Sequence, residues 1–260
     1  MTYAVADSVT MLRRNLLHVV RYPGLSMFTI LGPVIVLLLT VFVFGGTLGS
    51  GLPGAGGRDA YLAYVMPGIL LITIAGTASG AAITVAMDMT EGITARFRTM
   101  AISRASVLAG HVIGNTIQAI IAVALVLGVG VLIGFRPAAS PGEWLAAAGV
   151  IVLISFAVSW IGVAMGMQSK TVETASNLPL ILTILPLLGS GFVPTASMPE
   201  WLQGFAQHQP FTPFIEAVRG LLLGGVSAGS TTVAAVAWAV VLTVIGYVWS
   251  MAIYERKSVR

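Results

Sequence analysis

The chain has 260 residues, of which 57% are hydrophobic and only 8% charged, with a formal net charge of +4 and no cysteine. A soluble domain carries about 25% charged residues, and the mean hydropathy of +0.97 excludes one here. The lack of cysteine excludes disulfides and thiolate chemistry.

In chain order, residues 1–25 come first. They hold Asp7, Arg13, Arg14 and His18 and no continuous apolar run, so they lack the form of a cleavable export signal. Val5, Val9, Leu12, Leu16 and Val20 recur at helical spacing while Arg13, Arg14 and Asn15 face away. This pattern predicts an amphipathic helix along the inner membrane surface. Two roles stay open for it, anchoring the bundle and docking a partner.

A bilayer core about 30 Å thick needs about 20 apolar residues in a helix. Six stretches qualify as transmembrane spans: 26–44, 62–87, 111–133, 145–167, 178–193 and 233–253. The fifth is the shortest and contains Pro179 and Pro186, which kink a helix but are tolerated where neighbours satisfy the freed carbonyl. The expected fold is an all-α membrane protein, a single transmembrane domain over 1–260.

Lys and Arg divide unevenly between the two sides of such a bundle. One side holds Arg13, Arg14, Arg21, Arg96, Arg98, Arg104, Lys170, Arg256, Lys257 and Arg260; the other has only Arg58, Arg136 and Arg219. Positive charge is retained in the cytoplasm, so both termini are expected there and the Gly-rich loop 45–57 outside. The basic residues are scattered with no aromatic platform, so no nucleic acid partner is expected. Gly76 with Gly80, Gly110 with Gly114, and Gly162 with Gly166 are spaced four apart, which lets helix backbones approach closely.

Catalytic motifs are missing. The two lysines, Lys170 and Lys257, follow Ser169 and Arg256, so neither closes a phosphate loop. His18, His111 and His208 are far apart and form no H-E-x-x-H pair, so no metal site is expected, and no Gly-x-Ser-x-Gly elbow is present. Span interiors are uncharged, with Asp88 at one end of the second span and Glu216 and Arg219 in the segment before the sixth. Ion-coupled transporters carry intramembrane charge; a transporter with neither that nor an ATPase motif takes its energy from a partner subunit.

Two segments break the simple pattern. The loop over 88–106 reads as a short helix with apolar Phe97 and Ile102 among arginines. The segment 194–225 is too apolar for a plain loop and too punctuated for two spans. The chain here resembles the membrane subunits of type 2 ATP-binding-cassette exporters, and among them the daunorubicin-resistance-like permeases of actinobacteria. The resemblance covers nearly the whole chain. It rests on Glu91-Gly92-Ile93-Thr94-Ala95-Arg96-Phe97-Arg98-Thr99-Met100, on Met198-Pro199 with Trp201-Leu202, on Phe205-Ala206 with His208-Gln209-Pro210, and on Ala217-Val218-Arg219-Gly220.

The resemblance implies six transmembrane helices in each of two units, with an amphipathic N-terminal interfacial helix. It also implies a cytoplasmic coupling helix and a re-entrant outer helical pair before the last span. Glu91, Gly92, Arg96, Phe97, Arg98, Thr99 and Arg104 would then couple the chain to a separate ATP-binding subunit, present in two copies. Met198, Pro199, Trp201, His208, Pro210, Glu216 and Arg219 would belong to the outer re-entrant segment. This chain would bind no cofactor; ATP and Mg would sit on the partner ATPase. A second permease chain, identical or related, and membrane lipids complete the expected partners, in a bacterial plasma membrane. For the loop arginines the alternative is contact with anionic lipid head groups alone.

His111, Asn115 and Gln118 fall at i, i+4 and i+7 as a polar stripe on the third span. With Phe192 they are candidates for the substrate pathway, the alternative being hydrogen bonds to a neighbouring helix. Trp201 suits an interfacial anchor, and Glu216 and Arg219 are spaced to pair. The function this implies is the permease subunit of an exporter moving an amphipathic drug, antibiotic or lipid outward. An ion-coupled secondary transporter and a non-transporting scaffold or intramembrane enzyme are the alternatives.

Overall fold

The computed structural model describes residues 23–52, 56–90, 104–224 and 228–256, and within them the chain is helix and turn without a strand. Helix α1 (Pro23–Leu39) runs through a π-helical turn at Thr40–Phe44 into α2 (Gly45–Ser50). Three long helices follow: α3 (Arg58–Thr90), α4 (Arg104–Leu132) and α5 (Pro141–Gln168). The chain then breaks into short pieces, α6 (Val172–Asn177) and α7 (Leu180–Ile184), before a 3-10 turn at Thr195–Ser197. Helices α8 (Glu200–His208) and α9 (Phe211–Leu223) precede the long α10 (Ala228–Arg256).

Five of these stretches are long and apolar enough to cross a membrane: Thr29–Ser50, Arg58–Thr90, Leu108–Leu132, Pro141–Gln168 and Gly229–Arg256. The expected span at 178–193 is not among them. Pro179 and Pro186 withhold backbone donors and their rings crowd the preceding turn, so helix gives way to turns on both sides of α7. Gly45–Ser50, expected in a loop, is helical; extending the helix satisfies backbone groups that hydrocarbon cannot. The N-terminal segment 1–22 and the loop residues 91–103 lie outside the described residues.

Helices α3 and α5 form the buried centre. Their contact uses small residues: an ideal Cβ on Gly162 would come 2.5 Å from the Ala78 carbonyl oxygen, and one on Gly166 would come 2.4 Å from that of Ala82. Gly162 and Gly166 thus face Ala78 and Ala82 at a four-residue spacing on both helices. The pair Gly76 and Gly80 points elsewhere, since a Cβ on Gly76 would meet nothing within 4 Å. On the other side of α5, Gly246 of α10 sits against Trp160, whose ring meets Tyr247 edge-on at 5.2 Å.

Around this pair, α1, α4 and α10 leave apolar side chains exposed, among them Phe42, Val43, Leu125, Val244 and Val248. Such faces suit lipid. Helix α5 starts with a capping box in which Ser140 and Glu143 satisfy each other's backbone N–H, with Pro141 at the first position. Helix α9 stops at Gly224, whose φ of 74° is left-handed and disfavours any residue with a Cβ.

The α3–α5 seam gives a direct test. Gly166→Val is expected to lower unfolding stability in detergent or bilayer by about 1–3 kcal/mol through overpacking. Gly76→Ala, in open space, should stay within about 0.5 kcal/mol of the parent.

Candidate functional site

Polar side chains gather at the two ends of α3. Where α3 begins, Arg219 of α9 is largely buried, with a side chain 13% exposed against 36% for its partner Glu216. Its Nη1 donates to the Glu216 carboxylate, one turn earlier on α9. Its Nη2 donates to the backbone carbonyls of Tyr64 at 3.0 Å and of Ser190 at 2.7 Å. The guanidinium carbon lies 4.0 Å from the centroid of the Tyr64 ring. One side chain therefore joins α3, the turn after α7, and α9.

Backbone irregularity lies beside the carbonyls that Arg219 reaches. Pro67 has no N–H to give the Ala63 carbonyl, one residue before the Tyr64 carbonyl that Arg219 reaches. After Pro186 the chain is turn rather than helix, and its carbonyls need outside donors. Gln209, between α8 and α9, supplies a second one: its Nε2 donates to the Leu185 carbonyl at 2.9 Å and to Thr212 Oγ1 at 3.3 Å. The turn closes directly on α3, where an ideal Cβ on Gly68 would lie 2.6 Å from the Gly191 carbonyl oxygen.

Where α3 ends, His111 Nε2 of α4 lies 3.2 Å from Asp88 Oδ2, both side chains nearly buried. One turn along α4, Asn115 Nδ2 donates to Ser159 Oγ of α5 at 2.8 Å, and Ser159 donates to the Ser155 carbonyl. Two members of the α4 polar stripe thus bind neighbouring helices, while Gln118 is half-buried. Phe192 is half-buried against the main apolar core beside the opposite end of α3. The structure does not bring it to the stripe, because Gly68 and Asp88 are 20 residues apart on one helix, about 30 Å.

Among the expected coupling residues, Glu91, Gly92, Arg96, Phe97, Arg98 and Thr99 lie outside the described residues, and Arg104 is the first residue of α4. In the segment before α10, Pro199 and Pro210 stand at the N-caps of α8 and α9. Met198 is half-buried, and His208 Nδ1 is 2.8 Å from the Gly204 carbonyl oxygen. Trp201 is 79% exposed, a ring facing outward from a short amphipathic helix. Sequence reasoning placed Glu216 and Arg219 but missed Gln209, Ser190 and Tyr64, which complete the cluster. Two prolines in one apolar stretch and a lone buried-type arginine further on were the available signal.

The chain matches the ABC-2 type transporter family over residues 8–223. The chain belongs to that family. It is 28% identical over 226 residues to the daunorubicin resistance ABC transporter permease protein DrrB1 of Streptomyces coeruleorubidus, covering 85% of this chain and 76% of the relative. It is 27% identical over 197 residues to the probable doxorubicin resistance ABC transporter permease protein DrrC of Mycobacterium tuberculosis, covering 76% of this chain and 71% of that one. In this ABC-2 family member the five long apolar helices make a multi-pass membrane protein.

The α4 contacts set an expectation for that permease. His111→Ala, which removes a partner from a nearly buried carboxylate, should lower stability by about 1–3 kcal/mol. Asn115→Ala should lower it by about 0.6 kcal/mol. Measured by unfolding in bilayer or detergent alongside export of two competing substrates, neither should alter the preference between them; a changed preference would return these residues to the pathway.

Proposed function

We propose that this chain is the membrane-spanning permease subunit of an ATP-driven exporter that carries an amphipathic drug, antibiotic or lipid out across a bacterial plasma membrane. Membership of the ABC-2 type transporter family is the observation that carries this reading, and relatives named for daunorubicin and doxorubicin resistance support the substrate class. A separate ATP-binding subunit, in two copies and carrying ATP and Mg, supplies the energy, and a second permease chain completes the pathway.

The whole chain acts as one transmembrane unit with both termini cytoplasmic. Gly166 lies against Ala82, and Gly191 against Gly68, so between them the chain passes along α3 by 14 residues, about 21 Å. That supports counting the broken segment as a sixth crossing, with α8 and α9 as an outer re-entrant pair. In the coupling loop, Phe97 is the apolar anchor lodged in a cleft of the ATPase, flanked by Glu91, Gly92, Arg96, Arg98, Thr99 and Arg104. Asp88 and His111 fasten the helices on either side of that loop. Closure of the ATPase pair then moves α3 and α4 together.

Purification of the tagged chain in mild detergent, with mass spectrometry of what accompanies it, tests this. A stoichiometric ATP-binding subunit is expected, lost on Phe97→Asp. Glu91→Ala at equal expression should uncouple ATP hydrolysis from export, reducing export at least about tenfold, the effect of about 1.4 kcal/mol. A clean preparation without an ATPase, together with transport that survives ATP depletion and collapses with a protonophore, would favour an ion-coupled secondary transporter instead.

A further inference from the structure

We propose that Arg219 is a latch: it holds the turn after α7 against α3 when the pathway is closed, and its release from Ser190 and Tyr64 opens the bundle at the end where α3 begins. This rests on the exporter reading, in which that end is the outer one.

The bonds that Arg219 makes are of a kind that can be exchanged. Two go to backbone carbonyls on separate elements, Tyr64 in α3 and Ser190 after α7. Neither carbonyl belongs to α9, so moving the turn away from α3 breaks at least one of them without unfolding any helix. The charge is balanced by Glu216, whose side chain is 36% exposed at the surface of the chain. An arginine with that neighbour needs no new counter-charge when its carbonyls leave.

The piece being held is suited to moving. It follows the five-residue α7, it contains Pro186, and it meets α3 backbone on backbone at Gly68 and Gly191. Beyond that backbone contact, Leu185 and Phe192 are the half-buried apolar side chains that this piece packs against the core. Four buried polar atoms on the same elements find no partner among the described residues: Tyr61 Oη, Ser190 Oγ, Gln209 Oε1 and Arg219 Nε. Each carries an unmet hydrogen-bonding demand in the closed bundle, and each gains partners from water once the seam parts. The closed arrangement is therefore held by the guanidinium and opposed by its neighbours, which is the balance a two-state element requires.

The protein lacks cysteine, so single thiols report on the latch directly. Ser190→Cys removes a hydroxyl that has no partner and places a thiol at a site 3% exposed. In intact cells a membrane-impermeant maleimide is expected to label it slowly. Arg219→Gln, or Arg219→Lys, which keeps the charge but cannot fork between two carbonyls, should speed labelling by about tenfold or more. Equal rates in both backgrounds would overturn the proposal. A second measurement covers the case in which Arg219 variants do not reach the membrane. An ideal Cβ on Gly189 lies 2.7 Å from Thr212 Oγ1, so Gly189→Cys with Thr212→Cys brings two thiols within disulfide reach. Oxidation should stop export and reduction restore it, with the ATP-binding subunit still bound. Export that continues through the oxidised pair would refute the latch and leave the exporter reading intact. Labelling that responds to Arg219 in a chain that never exports would refute the exporter reading and, with it, the latch as a device of the pathway.

Discussion

A backbone crossing hydrocarbon has no water to complete its hydrogen bonds, and this constraint organises the whole chain. Five stretches meet it by remaining helical from end to end. The sixth apolar stretch does not, because Pro179 and Pro186 break its ladder, and outside donors come from α9 and the residue before Pro210 instead. Gln209 bonds the Leu185 carbonyl and Arg219 bonds that of Ser190. Glu216 neutralises the arginine, and Gly224 ends α9 in a left-handed turn.

Helix α3 is the reference for everything else, touching α1, α2, α4, α5, α6, α7 and α9. Each end carries a polar contact, Tyr64 with Arg219 and Asp88 with His111. These are 24 residues apart, about 36 Å at 1.5 Å per residue, longer than a bilayer core of about 30 Å. Between them lies the small-residue contact with α5. A long helix with a polar joint at each end is a mechanical arrangement suited to carrying displacement from one end of the bundle to the other.

Much of this was legible in the sequence. Apolar length gave the long helices, and the composition of 194–225 marked a segment that is neither loop nor span, for which the family resemblance implied a helical pair. Other features were hidden for physical reasons. Gly45 to Ser50 reads as loop because glycine is a poor helix former, yet here it lets α2 lie against the start of α3. A spacing of four occurs at both Gly76/Gly80 and Gly162/Gly166, and spacing alone does not say which face meets a neighbour. His111 and Asn115 read as a polar stripe, but their partners, Asp88 and Ser159, lie 23 and 44 positions away and become neighbours only when the helices pack. Arg219 was visible as a charge, whereas the carbonyls it binds carry no sequence signature at all.

The seam of Gly162 and Gly166 on Ala78 and Ala82 also has a calorimetric consequence. Two helices that associate within lipid exchange apolar solvation for apolar contact, so little surface leaves water when that seam forms. The large heat-capacity change that curves the stability of soluble domains comes from hydrating apolar surface, and this contact contributes almost none. Its strength therefore varies nearly linearly with temperature and lacks the cold-weakened branch of a water-driven core, so the centre of the bundle keeps its grip in the cold, where a soluble core would begin to lose it.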